Sequence, residues 1–292
     1  MGIILALGGG GVRGMAHLGF LRVLRKEVIH IVGISGSSAG ALAAAIYAFD
    51  LSDDPELLLK ALYDPDLEKL FQSGMLSQVV RLVEFVRKPS LTDADRTIRN
   101  LRKFFGDRAI EESPIPIAIQ AADLVTGEAV WLREGLVAEA VRASSAVPSI
   151  FPPVHLNGRI LVDGDVAEKV PVSAAKELGQ YPVVAVDISN PNSHATPRTA
   201  LEAALQAGEA SRKRLLALAL ERADLVVSLS PESHVETFDY RKAEELFDLG
   251  MKRAKQALPK IRALIPPEKS KAGRGIRQLF AGLQKKIPKE KS

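Results

Sequence analysis

The chain of 292 residues has ordinary globular composition, 47% hydrophobic and 25% charged. That excludes a disordered chain and allows one large domain or two small ones. It has no cysteine, which excludes a disulfide scaffold, a zinc–thiolate site, an iron–sulfur cluster and a thiol nucleophile, and suits a reducing compartment.

The first eleven residues, MGIILALGGGG, show neither a basic n-region nor a cleavage site, so no signal peptide is expected. Ala6 stands where a myristoylation motif wants Ser or Thr. Residues 3–7 read as a buried strand ending in four glycines. A helix is predicted over 12–27, a second strand over 29–34 and a second helix over 39–49. That last segment is the longest apolar stretch and falls short of the ~20 residues needed to cross a bilayer. Residues 52–106 then interrupt the alternation with helical patterning alone. Phe71, Met75, Val79, Leu82, Val83 and Val86 recur at helical spacing, and Thr92 with Asp95 suggests a capping box before a helix that stops at Gly106. This insertion is either a cap over a site or a set of helices covering the sheet.

Further strands are predicted over 114–122, 129–132, 159–162, 182–188 and 225–229, and helices over 137–144, 173–178, 199–222 and 240–264. Alternating strands and helices predict an α/β fold, a three-layer α/β/α sandwich with a mainly parallel sheet and a helical insertion. One domain is expected over 1–265. Between 266 and 292 there are eight Lys or Arg against two acids, which leaves 31 basic and 33 acidic residues elsewhere. The net charge of +4 therefore belongs to the tail, and the body is not a nucleic-acid surface. Ile276, Leu279, Phe280, Leu283 and Ile287 give that tail one apolar helical face. Such a segment suits an anionic membrane surface or is a solvated tail. The expected location is cytoplasmic, with peripheral membrane contact through the tail.

Gly36-Ser37-Ser38-Ala39-Gly40 fits G-x-S-x-G between a strand and a helix. That context suits a nucleophile elbow: small flanking residues permit a sharp turn that exposes the Ser38 hydroxyl at a helix N-terminus. Upstream, Gly8-Gly9-Gly10-Gly11-Val12-Arg13-Gly14 lies at another strand-to-helix junction. Converging glycine N–H groups can hold a tetrahedral oxyanion or, since Gly9, Gly11 and Gly14 fit G-x-G-x-x-G, a pyrophosphate. A dinucleotide site wants an acid at the end of the next strand, but Ser35-Gly36-Ser37-Ser38 stands there. No Lys-Ser/Thr closes a Walker loop.

For a base there are two arrangements. One is a triad using Asp187 or Asp224 with His234, for which Ser38 comes too early in the chain. The other is a direct carboxylate partner, Asp163, at the end of a strand. His17, His30, His155 and His194 have no acid partner in sequence and read as structural.

Together these motifs resemble the patatin-like phospholipase family. The glycine run with Arg13 is similar to its G-G-G-x-R-G loop, Gly36 to Gly40 to its elbow, and Asp163-Gly164 to the start of its D-G-G/A motif. Arg142-Ala143-Ser144-Ser145-Ala146-Val147-Pro148, followed by Phe151-Pro152-Pro153, resembles the R-A-S-x-A-x-P…F-P-P block of bacterial members. Residues 90–106 resemble a helix that the family shares.

The resemblance implies a hydrolase of lipid acyl esters with no metal or cofactor. Ser38 would be the nucleophile and Asp163 its base, with the N–H groups of Gly9, Gly10 and Gly11 beside Arg13 forming the oxyanion hole. An acyl-lipid-binding protein of the same fold without catalysis is the alternative. This sequence departs from the family at Asp165, where Gly or Ala is usual, and at Glu168-Lys169. Asp165 is expected to point away from Asp163.

Overall fold

The computed structural model describes residues 2–55, 94–148, 150–191, 196–197 and 199–265. The apolar stripe between Phe71 and Val86, His194 and the basic tail lie outside the described residues. Among those residues the strands are β1 (Ile3–Leu7), β2 (Ile31–Ser37), β3 (Ile117–Asp123), β4 (Ala129–Leu132), β5 (Val154–Leu156), β6 (Arg159–Asp163), β7 (Val183–Asp187) and β8 (Leu225–Ser228). The α-helices are α1 (Met15–Lys26), α2 (Ala39–Ala48), α3 (Ala94–Phe105), α4 (Val137–Ser144), α5 (Val172–Lys176), α6 (Ala200–Leu220) and α7 (Ala243–Leu264). None of these helices is long and apolar enough to cross a membrane.

β1 shows why the chain builds three layers. All five of its residues are buried. Ile3, Leu5 and Leu7 join a core shared with α1, α2 and α7, whereas Ile4 and Ala6 join a second core with Val172, Ala175 and Leu216 of α5 and α6. A strand apolar on both faces must lie between two helical layers.

β3, β2, β1, β7 and β8 run parallel in that order. The predicted parallel character therefore holds for this part of the sheet. An antiparallel arm completes it. β4 pairs with Ile119 to Ala122 of β3, and β6 pairs with Ala121 to Asp123 of the same strand. β5, only three residues long, pairs with β6 and has no counterpart among the predicted strands.

The β3 pairings decide the geometry of the site. β2 pairs with Ile117 to Gln120 of β3, and β4 already occupies an edge from Ile119 to Ala122. A strand has only two hydrogen-bonding edges, so β2 and β6 share the other one. They run toward each other along it and stop at adjacent positions, Ser37 opposite Gln120 and Asp163 opposite Ala121.

Helices α1 and α7 cross closely at two glycines. A side chain at Gly19 would meet the carbonyl oxygen of Phe247, and one at Gly250 would meet that of Ala16. On an isolated helix Gly250→Ala would gain about 1 kcal/mol. Here it is expected to lose about 1–3 kcal/mol, because helix backbones must separate. Urea denaturation measures the sign, and a stabilised variant would contradict this packing.

Candidate active site

β2 delivers Ser38 and α2 begins immediately after it. Ser38 has φ 53° and ψ −120°, a left-handed conformation that a residue with a side chain rarely adopts. Its flanking glycines are needed sterically: a Cβ on Gly36 would strike the Gly40 carbonyl, and one on Gly40 would strike that of Leu7. Ser38 is also the N-cap of α2. An N-cap serine ordinarily turns its hydroxyl onto the first turn of the helix, worth about 1 kcal/mol. Ser38 makes no such bond. Its Oγ donates instead to Asp163 Oδ2 at 2.7 Å, with both residues buried.

The strained elbow is braced from behind. The Ser38 N–H donates to Ser144 Oγ at 2.8 Å, and Ser144 Oγ donates to the Gln120 carbonyl at 2.5 Å. The Gln120 amide in turn donates to the carbonyls of Gly164 and Glu168. Arg142 reaches the Pro152 carbonyl at 3.4 Å, tying the two halves of the R-A-S-x-A-x-P…F-P-P block together. Asp163 itself is pinned by its N–H to the Ala146 carbonyl.

Asp165 corrects an expectation. Residues two apart share a face even on an extended segment, so alternation gives no ground for turning Asp165 away, and Gly164–Val166 in fact form a 3₁₀ turn. The carboxyl of Asp165 faces the site, accepting a hydrogen bond from Ser37 Oγ at 3.0 Å, while its N–H donates to Asp163 Oδ1 at 2.9 Å. Burial, followed by the charge of Asp165, pushes the Asp163 carboxyl up to about 8, against the opposing pull of the Asp165 N–H, Ser38 and Lys169. Burial also raises Asp165, against Lys169, Ser37, Arg212 and Arg13.

The glycine loop follows β1, which lies beside β2 in the sheet. Its N–H groups are unequally engaged. Gly8 donates to Val186 and Gly9 to Lys169. Among the described residues no acceptor takes the N–H of Gly10 or Gly11. Gly9 was expected beside them as an oxyanion donor, but its N–H is already occupied. Arg13 does not aim its bonded nitrogens at the site either: Nε donates to the Ile188 carbonyl at 2.9 Å and Nη1 to that of Val235 at 2.7 Å. It fastens the loops beneath the glycines, and burial lowers its pKa.

His17, which the sequence marks only as structural, is fully buried and donates from Nε2 to the Gly8 carbonyl at 2.8 Å. The Gly8–Gly9 peptide is thus held on both sides, by His17 at its oxygen and by Lys169 at its nitrogen. His17 stands nine positions after Gly8, with seven residues between the end of β1 and the start of α1, and that spacing gives no local signal for this contact. The rival base His234 lies at the surface, 3.3 Å from Glu236. The rival acids are engaged elsewhere, Asp187 with Ser189 and Asp224 with the Val183 N–H.

Residues 5–176 match the family described as patatin-like phospholipase. The chain belongs to that family. The patatin-like chain is 33% identical over 187 residues to an uncharacterised NTE family protein of Mycobacterium tuberculosis, covering 64% of this chain and 49% of that protein. It is 27% identical over 278 residues to lysophospholipase NTE1 of Candida glabrata, covering 84% of this chain and 15% of that protein. The chain thus spans about half the length of the first relative and far less of the second. Among solved structures, VipD from Legionella pneumophila matches with a TM-score of 0.48 and 15% identity, over 87% of this chain and 67% of that one.

Burial lowers the His17 pKa from 6.5 to about 4. Folded protein therefore keeps this imidazole neutral where the unfolded chain protonates it. The associated stability is complete above about pH 6.5 and is lost as pH falls toward 4, about 3 kcal/mol in all. Urea denaturation across that range is expected to show a shallower acid decline for His17→Gln than for the wild type. Parallel declines would contradict the assignment.

Proposed function

We propose that the protein is a serine hydrolase that cleaves acyl esters of lipids with a two-residue centre, Ser38 and Asp163. The observation that carries the reading is the buried 2.7 Å hydrogen bond from Ser38 Oγ to Asp163 Oδ2, formed by a serine in a left-handed conformation. Family membership and the similarity to a protein named as a lysophospholipase support the substrate class.

In this mechanism Ser38 Oγ attacks the acyl carbonyl carbon while Asp163 takes its proton. The carbonyl oxygen becomes an oxyanion, held by the N–H groups of Gly10 and Gly11. Removing one such donor typically costs about 3 kcal/mol. Collapse of the intermediate breaks the ester C–O bond, and Asp163 returns the proton to the leaving alcohol. Water then attacks the acyl-serine, giving its proton to Asp163, and the fatty acid leaves as Ser38 is reprotonated. His17 and Lys169 hold the loop, and Ser144 holds the elbow. Asp163 must begin each turnover as the anion. With its carboxyl pushed up to about 8, hydrolysis rises with pH through the same region. A raised carboxyl is favourable to folding only while protonated, so stability moves the opposite way, falling as pH rises from about 4 to about 8 and levelling off above it.

A series of short- to long-chain acyl esters, including a lysophospholipid, tests the proposal. Wild type is expected to hydrolyse them, and Ser38→Ala and Asp163→Asn to lose ~100-fold or more in kcat/KM. Activity retained in Asp163→Asn would overturn the two-residue mechanism. Binding of the lipids without turnover by the wild type would favour a lipid-binding protein of the same fold.

A further inference from the structure

Beside the reacting pair lies a second serine and carboxyl. Ser37 and Ser38 are successive residues of the elbow, and Asp163 and Asp165 stand two apart on one turn. Ser38 bonds to Asp163 and Ser37 to Asp165, so the elbow and the acid turn are joined twice. The Asp165 carboxyl also presses against the glycine loop: a Cβ on Gly9 would collide with its Oδ1. It therefore touches the nucleophile's strand, the base's turn and the oxyanion loop together.

We propose that Asp165 is a positioning residue whose negative charge, held in place by Ser37, sets the pH range in which Asp163 can serve as base. The proposal rests on the Ser38–Asp163 reading above. Two carboxyls this close, with a backbone N–H of one bonded to the oxygen of the other, do not ionise independently. The first to lose its proton hinders the second. Cations oppose this from three sides: Lys169 just beyond the turn, Arg13 in the glycine loop and Arg212 on α6, the last also paired with Glu209. Glu168 does not join the pair, because its carboxyl accepts from Ser173. His17 is neutral above about pH 4 and adds no charge in the working range. Burial, joined at Asp163 by the charge of Asp165, outweighs the cations, since both carboxyls are raised.

Asp165→Asn keeps an oxygen for Ser37 and removes the charge, and Asp165→Ala removes both. The readout is the rate of covalent labelling of Ser38 by a fluorophosphonate, and kcat/KM on a short acyl ester, each from pH 5 to 9. Both variants are expected to move the ascending limb acidward by at least about one unit, giving about tenfold faster reaction at pH 6.5. An unmoved limb in variants that still label overturns the proposal while leaving the Ser38–Asp163 reading intact. Failure of the wild type to label Ser38 overturns that reading and this one with it. Carboxyl ¹³C NMR of the unaltered protein needs no variant. A two-step titration shared by the Asp163 and Asp165 resonances is expected, and two independent single-step titrations would overturn the proposal.

Discussion

Two strands that run head-on along one edge of β3 create the site. β2 arrives carrying Ser38 and β6 arrives from the opposite direction carrying Asp163, and neither can continue because the other occupies the next position on the same edge. Their ends are therefore forced together, and the hydroxyl and carboxyl meet at 2.7 Å without a histidine between them. A purely parallel sheet would place two strand ends side by side, about 5 Å apart for neighbours. The antiparallel arm makes the shorter approach, and it is fixed by the backbone ladder rather than by flexible loops.

Everything around that contact holds it against relaxation. Ser38 forgoes its helix-capping bond and sits at positive φ, a state that persists only when its surroundings over-determine it. Ser144 takes its N–H, Gln120 anchors Ser144, and the same Gln120 reaches the turn after Asp163. The elbow and the acid are thus tied to one central strand by a single buried network. On the other side Arg13 draws the loops at Ile188 and Val235 under the glycine run. The Gly8–Gly9 peptide is clamped, and the next two N–H groups meet no acceptor among the described residues. The cost of this arrangement is electrostatic, with two carboxyls, an arginine and an imidazole removed from water in one small volume.

Much of this was legible in the sequence, for reasons that differ from one element to the next. β1 and β7 are short apolar runs between turn residues, and α1 and α7 have long periodic stretches, so their positions follow from pattern. The proposed pair, Ser38 and Asp163, stood out in the sequence because Ser38 lies between Gly36 and Gly40 at a strand-to-helix junction and Asp163 ends an apolar run just before Gly164. β5 was not readable, since three residues carry no alternation. The direction of β6 was not readable either, because strand pairing is a long-range property that β3 decides by having only one free edge. Asp165 lies on the Asp163 side because the Gly164–Val166 turn brings its carboxyl to Ser37, and even an extended segment would have given residues two apart a common face. His17 and Ser144 look like ordinary helix residues until the fold brings a carbonyl or an amide to them. Gly9 was misjudged as a donor because a run of four glycines does not show which N–H groups the loop will keep for itself.

The central claim is that the Ser38 hydroxyl, the Asp163 carboxylate and the free N–H groups of Gly10 and Gly11 converge on one reacting carbon. A crystal structure of the protein phosphonylated at Ser38 measures this most directly, since the phosphoryl oxygen marks where an oxyanion would lie. The account predicts that oxygen within about 3 Å of both the Gly10 and Gly11 nitrogens, with the Asp163 carboxyl still adjacent to Ser38 Oγ. A phosphoryl oxygen directed away from the glycine loop, or an adduct on another residue, would contradict it.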